Sequence, residues 1–338
     1  MNRTALIFEK PRSVSLQTEA APTPGPGELL VETRFSAVSS GTERLFYRGG
    51  VPEGMALDAA IPALAGRAKY PFKYGYAAVG RVVGADRDVP EGWAGRRVFA
   101  FNPHESLFAA RPGDLYPLPA DVAWRDAVFL PNMETAVNLL MDGRPVIGAS
   151  VAVFGAGIVG LLTTALLVRF PLSALVSVDP NPTRRTLAGS LGEQVRSVAP
   201  DGASAVLSAL ADGRGPDLVY EVSGRPEALD QAVALAGFDT RIIVGSWYGD
   251  RRCSLDLGGR FHRGRIRIES SQVTTLAPGL RGRWSHRRRL ATAMAMIREI
   301  SPSRFISHEV AFSRAPEAYA QLDRDPDDVL QIVFRYRD

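Results

Sequence analysis

The sequence predicts an α/β protein in which a doubly wound parallel sheet is inserted into a β-rich module. Three observations support this fold class. Residues 1–131 contain short apolar runs separated by turn residues, without helical periodicity. Between residues 132 and 273, apolar strands alternate with helical stretches, which is the order of a parallel sheet. Residues 274–338 are too few for a separate domain, so we expect them to complete the first module.

The β-rich module is defined by short strands and by the turn residues between them. The segment Pro22-Thr23-Pro24-Gly25-Pro26-Gly27 cannot continue a strand and therefore separates the first two. In this module and the tail, strands are predicted at residues 4–8, 29–36, 76–83, 97–101 and 329–334, and helices at 285–300 and 315–322.

The inserted module begins with a strand, a glycine-rich turn and a helix. Residues 150–154 are apolar, the turn occupies 155–160, and residues 161–170 are compatible with a helix. Further strands are predicted at 174–178, 217–222, 241–245 and 266–270, and further helices at 203–211 and 227–235.

The turn has the spacing G-x-G-x-x-G, which in this context is the fingerprint of a dinucleotide-binding unit. Gly155 permits the tight turn, Gly157 lets a pyrophosphate approach the backbone, and Gly160 lets the helix pack on the strand. The N-terminus of the helix that follows offers free N–H groups and a dipole that favour phosphate, and Ile158 and Val159 of the turn are included among the predicted cofactor-binding residues.

An acidic residue, Asp179, follows the next strand and would accept hydrogen bonds from the adenosine ribose. A 2′-phosphate would face this carboxylate, so NAD(H) is preferred. Arg184, together with Arg185, leaves NADP(H) open, because an arginine can hold a 2′-phosphate. Ser223 and Gly245, at the ends of two later strands, complete the predicted cofactor-binding residues.

Composition excludes several classes of protein. Apolar residues make up 46% of the chain, and Cys253 is the single cysteine, which excludes an internal disulfide and a cysteine-rich zinc site. We expect a cytoplasmic protein, because there is neither a signal-peptide core nor an apolar run long enough for a membrane span. The late basic residues at 260–267 and 281–289 form either a solvated face or an anion-attracting rim. We expect no nucleic-acid partner, because no matching motif accompanies them.

The chain resembles the medium-chain dehydrogenase/reductase superfamily over essentially its whole length. The resemblance implies a Rossmann domain at 132–273 inserted into a GroES-like catalytic domain at 1–131 and 274–338. It also implies a small-molecule substrate and is compatible with a homodimer. Besides the glycine turn, the resemblance is carried by residues 28–32, Ser39-Ser40-Gly41-Thr42-Glu43, 75–82 and Gly95-Arg96-Arg97-Val98.

Zinc-dependent members of this superfamily hold the metal with a cysteine and a histidine from two of these segments and a third ligand. Here the corresponding residues are Ser40 and Tyr76, followed by Ala77 in place of a glutamate, and Pro131 and Asn132 lie near the third position. Since zinc prefers Cys, His and carboxylates, we expect no zinc. Residues 40–44 and the tyrosine are locally similar to the bacteriochlorophyllide dehydrogenase-like branch, whose members oxidise a hydroxyethyl group with NAD.

Without a metal, a hydrogen-bond donor must stabilise the developing alkoxide. Tyr76 either donates a proton or fills the vacated metal cavity with its ring. Lys73 would lower the tyrosine pKa, and Thr42 would orient the substrate oxygen. The alternative role for Thr42 is a turn hydroxyl that bonds local backbone.

Three further residues are candidate acids or bases. His104 lies in a proline-flanked loop and is either a proton donor or a surface histidine. Glu43 is either a second-rank acid or the partner of Arg44 in an ion pair. Glu134 is either a base near the nicotinamide or a carboxylate favoured by a helix dipole.

We therefore expect a zinc-independent, NAD(H)-preferring oxidoreductase acting on an alcohol/carbonyl pair. The alternatives are NADPH-dependent reduction of an enone or quinone, transient use of NAD, and a non-catalytic NAD(H) sensor. Trp247 and Tyr248 would either flank a planar substrate or pack in the core, and the arginines favour an anionic one.

Overall fold

A computed structural model describes residues 1–52, 54–58 and 61–336. In chain order the strands are β1 (Asn2–Lys10), β2 (Ser13–Ala20), β3 (Leu29–Ala37), β4 (Phe72–Lys73), β5 (Ala78–Ala85), β6 (Arg97–Ala100), β7 (Leu107–Ala110), β8 (Leu115–Pro117), β9 (Ser150–Phe154), β10 (Ala174–Val178), β11 (Val195–Val198), β12 (Leu218–Glu221), β13 (Arg241–Val244), β14 (Arg267–Ser270), β15 (His308–Ala311) and β16 (Ile332–Arg335).

The helices lie mainly in the second half of the chain. They are α1 (Thr42–Arg48), α2 (Trp124–Ala127), α3 (Leu130–Gly143), α4 (Ile158–Leu167), α5 (Pro182–Gly189), α6 (Ala203–Leu207), α7 (Leu210–Gly213), α8 (Pro226–Leu235), α9 (His286–Ile300) and α10 (Ala315–Arg324). Within the described residues, no helix is both long and apolar enough to span a bilayer.

The chain divides into two compact units. The first comprises residues 1–131 and 297–338, and the second residues 132–296. The sequence places the return to the first module at residue 274, and the structure places it at 297. The physical reason is that α9 runs without interruption across this point, so no loop or change of composition marks the boundary.

The first unit contains two sheets. A small antiparallel sheet has the order β2-β1-β4, and a larger one has the order β15-β16-β3-β5-β6-β8, with β7 also paired to β3. Strand β16 pairs antiparallel with β3, with Val333 opposite Ala37. The tail of the chain therefore lies in the same sheet as residues near its beginning.

Aromatic side chains from distant segments form the core of this unit. Phe8 of β1 stacks on Phe72 with ring centroids 5.4 Å apart and meets the edge of Tyr319 at 5.3 Å. Phe46 of α1 and Phe334 of β16 belong to the same cluster and are nearly inaccessible to solvent. This core holds α1, and with it residues 39–43, against both sheets.

The second unit contains a parallel sheet with the strand order β11-β10-β9-β12-β13-β14. Strand β9 is buried along its whole length, and nine of the ten residues of α4 are buried, so this helix packs among neighbours on all sides. The strand order reverses between β9 and β12, and ligands bind parallel sheets at such switch points, beyond the carboxyl ends of the strands. The predicted fold class is confirmed.

Some elements differ from the sequence-based prediction. The single helix expected at 203–211 is observed as two short helices, α6 and α7, and Ala211 and Asp212 inside α7 adopt positive φ angles of 48° and 57°. The last strand begins at Ile332 rather than at residue 329. Strands β2, β11 and β15, which are largely half-buried or exposed, lack the continuous apolar runs on which the strand predictions depend.

Candidate functional site

The glycine turn of the second unit has the geometry that its spacing predicts. Gly155 has φ +101°, and a Cβ there would lie 2.6 Å from the Ser223 Cα. A Cβ at Gly160 would lie 1.8 Å from the carbonyl oxygen of Gly155. Both positions therefore require glycine for the turn itself. At Gly157 a Cβ would meet nothing within 4 Å, so the backbone there is open to a ligand.

The helix that follows presents a free N-terminus. Gly157 is the N-cap of α4 and contributes no capping side chain. The first-turn N–H groups, including those of Ile158 and Val159, have no partner within the helix. These donors and the helix dipole fit a phosphate.

Asp179 is tied directly to the turn. Its Oδ2 accepts the Ala156 N–H at 2.7 Å, and its Oδ1 accepts the Asn181 N–H at 2.8 Å, with the carboxyl group almost fully buried. Each oxygen has a further lone pair, so the carboxylate can still accept a ribose hydroxyl. Arg184 lies in the first turn of α5, where its N–H is capped by the Asn181 side chain, and Arg185 donates to the carbonyl oxygen of Asp179. The residues at this edge of the sheet fit a dinucleotide.

A buried carboxylate, Glu221, which was not predicted, ends β12 beside the turn. Its Oε1 accepts the N–H of Ser223 at 2.9 Å, and its Oε2 accepts the Tyr248 hydroxyl at 2.5 Å. Burial raises the pKa of Tyr248, and the Glu221 charge adds to the effect. Gly245 follows the neighbouring strand, and Trp247 is 40% exposed, so of the two alternatives for this tryptophan core packing does not hold. A charged residue at the end of an apolar strand was the available signal for Glu221.

Glu134 lies in a second buried network of this unit. Its Oε1 accepts the Arg289 Nε–H at 3.0 Å, and the same guanidinium donates to Asn138 Oδ1 and to the carbonyl oxygens of Val273 and Thr275. Burial raises the pKa of Glu134, and the Arg289 charge opposes this. Glu134 is paired with Arg289. It is therefore not a free base, and a helix dipole is not the only group that stabilises its charge.

An open groove lies beyond the carboxyl end of β14, next to the loop that Arg289 holds. It encloses about 380 Å³. Arg288 stacks over the Trp284 ring at 4.1 Å, and burial, with the nearby Arg289 charge, lowers the pKa of His286. The groove is lined by Thr274, Thr275, Leu276, Arg281, Trp284, Ser285 and His286.

In the first unit, the residues at the superfamily's metal positions do not form a zinc donor set. The Ser40 hydroxyl donates to the carbonyl oxygen of Leu330 at 3.2 Å, and Ala77 is a buried methyl group. Among the residues that the structure describes, no group of three or more His, Cys, Asp or Glu side chains could hold a metal ion. The donor chemistry here does not fit Zn²⁺, which takes Cys, His and carboxylate ligands.

Tyr76 packs, partly buried, against the aromatic core of the first unit. Its ring meets the edge of Tyr74 at 6.1 Å, while the side chains of Ser39 and Thr42 lie within reach of its hydroxyl. Burial raises the pKa of Tyr76 to about 12, against the smaller opposing effect of these two side chains. The expected lowering by Lys73 is wrong, because that ammonium group binds Glu19 at 2.7 Å and Glu105 at 3.3 Å instead.

His104 and Glu43 are themselves fully buried, in a hydrogen-bonded cluster rather than at a surface. His104 Nε2 is 3.1 Å from Glu43 Oε2, and its Nδ1 is 2.7 Å from the Ser36 hydroxyl. The Tyr319 hydroxyl donates to the same Glu43 oxygen, and the Tyr336 hydroxyl lies 2.9 Å from the Ser36 oxygen. We call Ser36, Glu43, His104, Tyr319 and Tyr336 the Glu43 cluster.

This placement corrects two expectations. His104 is 0% exposed, so it is neither the surface histidine nor, within this unit, a side chain that reaches a substrate. Glu43 is also 0% exposed, and its carboxylate bonds His104 and Tyr319 rather than forming the exposed pair with Arg44 that the sequence suggested. Adjacency in sequence suggested Arg44 as the partner of Glu43, but the fold pairs Glu43 with His104 and Tyr319 instead.

Comparisons with known proteins identify relatives over the whole length, although no family model matches the chain. It is 28% identical to the 2-desacetyl-2-hydroxyethyl bacteriochlorophyllide A dehydrogenase of Cereibacter sphaeroides, covering 100% of this chain and 99% of that protein. A structure described as a short chain alcohol dehydrogenase from E. coli CFT073, complexed with NADH, has a TM-score of 0.79 at 18% identity, covering 99% of each chain.

A second structure illustrates the range of these neighbours. A putative zinc-binding dehydrogenase from Sinorhizobium meliloti 1021, bound to NADP, has a TM-score of 0.78 at 19% identity, covering 99% of this chain and all of the other. The homologues and structural neighbours are members of the medium-chain, zinc-type alcohol dehydrogenase family. The chain therefore has the medium-chain dehydrogenase fold, in which a Rossmann unit is inserted into a GroES-like unit.

Proposed function

We propose that the chain is a zinc-independent oxidoreductase that prefers NAD(H) and acts on an alcohol/carbonyl pair. The observation that carries the proposal is the glycine turn. Gly157 leaves its backbone open, the N-terminus of α4 lies beside it, and Asp179 is hydrogen-bonded to the turn. Relatives that are dehydrogenases, one of them complexed with NADH, support the dehydrogenase activity and the nicotinamide cofactor of this proposal.

A bound nicotinamide dinucleotide would supply or accept the hydride. The turn N–H groups would hold its phosphates, and Asp179 would accept hydrogen bonds from its ribose. The preference for NAD(H) rests on the negative charge of Asp179, which disfavours a 2′-phosphate. Arg184 weakens this preference, and one structural neighbour binds NADP. The binding of NADPH is therefore compared with that of NADH in the test below.

In the first unit, we assign the proton-donating role to Tyr76. Its phenol lies within reach of Ser39 and Thr42, and with a pKa of about 12 it stays protonated at neutral pH. It can therefore donate a hydrogen bond to a substrate oxygen as negative charge develops there. Thr42 orients the phenol and the substrate oxygen.

The absence of zinc from the proposal rests on donor chemistry. The Ser40 hydroxyl donates a hydrogen bond to the Leu330 carbonyl oxygen, and neither Tyr76 nor Ala77 is a usual zinc ligand. Because the relatives are of the zinc type, the claim needs a direct test. Elemental analysis of the purified protein should find far less than one zinc per chain, and stoichiometric zinc would overturn it.

The groove of the second unit supports a proposal for the substrate class. Arg281 and His286 line it with Trp284, so we propose a small substrate that is planar or anionic. We also propose a cytoplasmic homodimer, to be tested by cell fractionation and by light scattering of the eluting protein.

The test of the proposed function has two stages. Saturating NADH should raise the melting temperature more than NADPH does, because ligand binding to the native state adds apparent stability. A panel of alcohols and carbonyls, biased to planar and anionic members, should then show NAD(H)-linked turnover. No shift with either cofactor would refute cofactor binding, and a shift without turnover across the panel would refute the catalytic part.

A further inference from the structure

The Glu43 cluster has one arrangement of protons that satisfies all of its members when His104 is neutral. The Tyr336 hydroxyl donates to Ser36, whose hydroxyl donates to His104 Nδ1, and the Nε2–H of His104 donates to Glu43. Glu43 also accepts the Tyr319 hydroxyl. Burying a carboxylate costs free energy unless hydrogen bonds use its lone pairs. Removing one donor of the cluster therefore leaves a buried acceptor without its hydrogen bond.

Glu43 connects this cluster to the turn before α1. Its Oε1 accepts the N–H of Ser39 at 2.8 Å, and its own N–H donates to the carbonyl oxygen of Ser39 at 2.9 Å. These reciprocal bonds close a ring that spans residues 39–43. The side chains of Ser39 and Thr42, both within that ring, lie within reach of the Tyr76 phenol. The position of the Glu43 carboxylate therefore helps to fix the groups beside Tyr76.

His104 also acts on the backbone next to Tyr76. Gly75 has φ +120°, and a Cβ there would lie 2.7 Å from His104 Cδ2. The imidazole thus lies in the space where any other residue would carry a side chain. It contacts the Glu43 carboxylate on one side and the residue preceding Tyr76 on the other.

We propose that His104 and Glu43 are positioning residues that fix the Tyr76 phenol against Ser39 and Thr42. This inference rests on the proposed function of Tyr76 and adds how its hydroxyl is kept in place. Both side chains are 0% exposed in their unit, so they act through other groups and do not contact substrate.

Two substitutions of His104 separate positioning from packing. His104→Gln can place an amide N–H near the position of Nε2 and keep the bond to Glu43. His104→Asn reaches only the region of Nδ1 and loses that bond. Both variants remove the ring, so the loss of packing is shared. The readout is the 13Cζ resonance of Tyr76 in protein labelled at tyrosine, assigned by its disappearance in Tyr76→Phe.

We expect His104→Asn to shift this resonance and His104→Gln to leave it close to that of the parent. With any substrate that the panel identifies, kcat should fall by about 10- to 100-fold in the Asn variant, because misplacement by ~1 Å can cost that much. The KM for NADH should be unchanged, and the Gln variant should recover most of the lost kcat. Equal resonances in the two variants would overturn the proposal and leave His104 a packing residue.

Glu43→Gln keeps the test decisive if His104→Asn does not fold. The amide retains an acceptor for Ser39 N–H but replaces one carboxylate oxygen with a donor, so the Tyr76 resonance should again move. An unmoved resonance would refute the proposal. The NMR readout needs no turnover. If the resonances respond but the parent catalyses nothing, the proposed function fails while the positioning role stands.

Discussion

Gly157→Ala is the sharpest perturbation of the cofactor site, because it separates binding from folding. A methyl group there would meet no protein atom within 4 Å, and the backbone φ of −67° is allowed for alanine. Replacing glycine at such a position changes stability by only about 0.4–1 kcal/mol, usually upward. The methyl would instead occupy the approach of the pyrophosphate to the N-terminus of α4.

The expected loss of affinity follows from the donors at that terminus. A hydrogen bond to a charged group contributes about 1.5–3 kcal/mol. Losing one such bond weakens NADH binding by roughly 10- to 150-fold, since about 1.4 kcal/mol corresponds to a factor of ten. With NADH at 100 times the parent Kd, cofactor stabilisation is about 2.7 kcal/mol in the parent, and about 1.4 kcal/mol in a variant that binds tenfold more weakly.

Isothermal titration with NADH and melting curves with and without NADH measure both quantities. Gly189→Ala is the matched control, because Gly189 ends α5 and a methyl there also meets nothing within 4 Å. The control should keep the parent Kd. If Gly157→Ala binds NADH within a factor of two of the parent, the pyrophosphate does not approach the backbone at Gly157.

Three further predictions concern other groups. Tyr76→Phe should lower kcat by roughly 10²- to 10⁴-fold, the usual contribution of a general acid, without changing the Kd for NADH; unaltered turnover would leave the ring a plug. Asp179→Asn should shift the ratio of Kd values towards NADPH by about 10-fold, whereas the exposed Glu193→Gln should not, and equal ratios would refute the charge argument. Arg289→Met leaves Glu134 buried and unpaired, so the free energy of unfolding in urea should fall by about 3–5 kcal/mol. This loss should be smaller at pH 5 than at pH 8, because burial raises the pKa of Glu134 and protonation below that pKa removes the unpaired charge. The double variant Arg289→Met/Glu134→Leu removes the unpaired carboxylate and should recover part of the free energy of unfolding. A loss that does not depend on pH, or a double variant without this recovery, would contradict the explanation.

The cofactor turn could be predicted because its information is local. Three glycines at fixed spacing, a strand before them and Asp179 after the next strand specify one βαβ unit. The same local logic placed α8 and α10 within a residue or two of their observed ends. In each case, neighbours in sequence are neighbours in space.

The Glu43 cluster could not be predicted, because its members are brought together only by tertiary folding. Glu43 and His104 are 61 residues apart, and Ser36 and Tyr336 are 300 apart. Neither periodicity nor motif spacing constrains such distances. The same holds for Arg289 and Glu134, which are separated by 155 positions and meet only because the loop after β14 packs beside α3.

The contribution of β16 to the sheet of β3 has a consequence for synthesis on the ribosome. Tyr319 and Tyr336 complete the hydrogen bonds of Glu43 and Ser36, and Gln331 donates to the carbonyl oxygen of Val38. Residues 1–131 of the first unit lack these partners until residues 319–336 have been translated. Residues 132–296 form a continuous segment and can fold earlier, since domains fold as units during synthesis. The second unit can thus fold before the first is complete, and nascent chains that stop short of β16 would expose an unfinished sheet edge to chaperones and proteases.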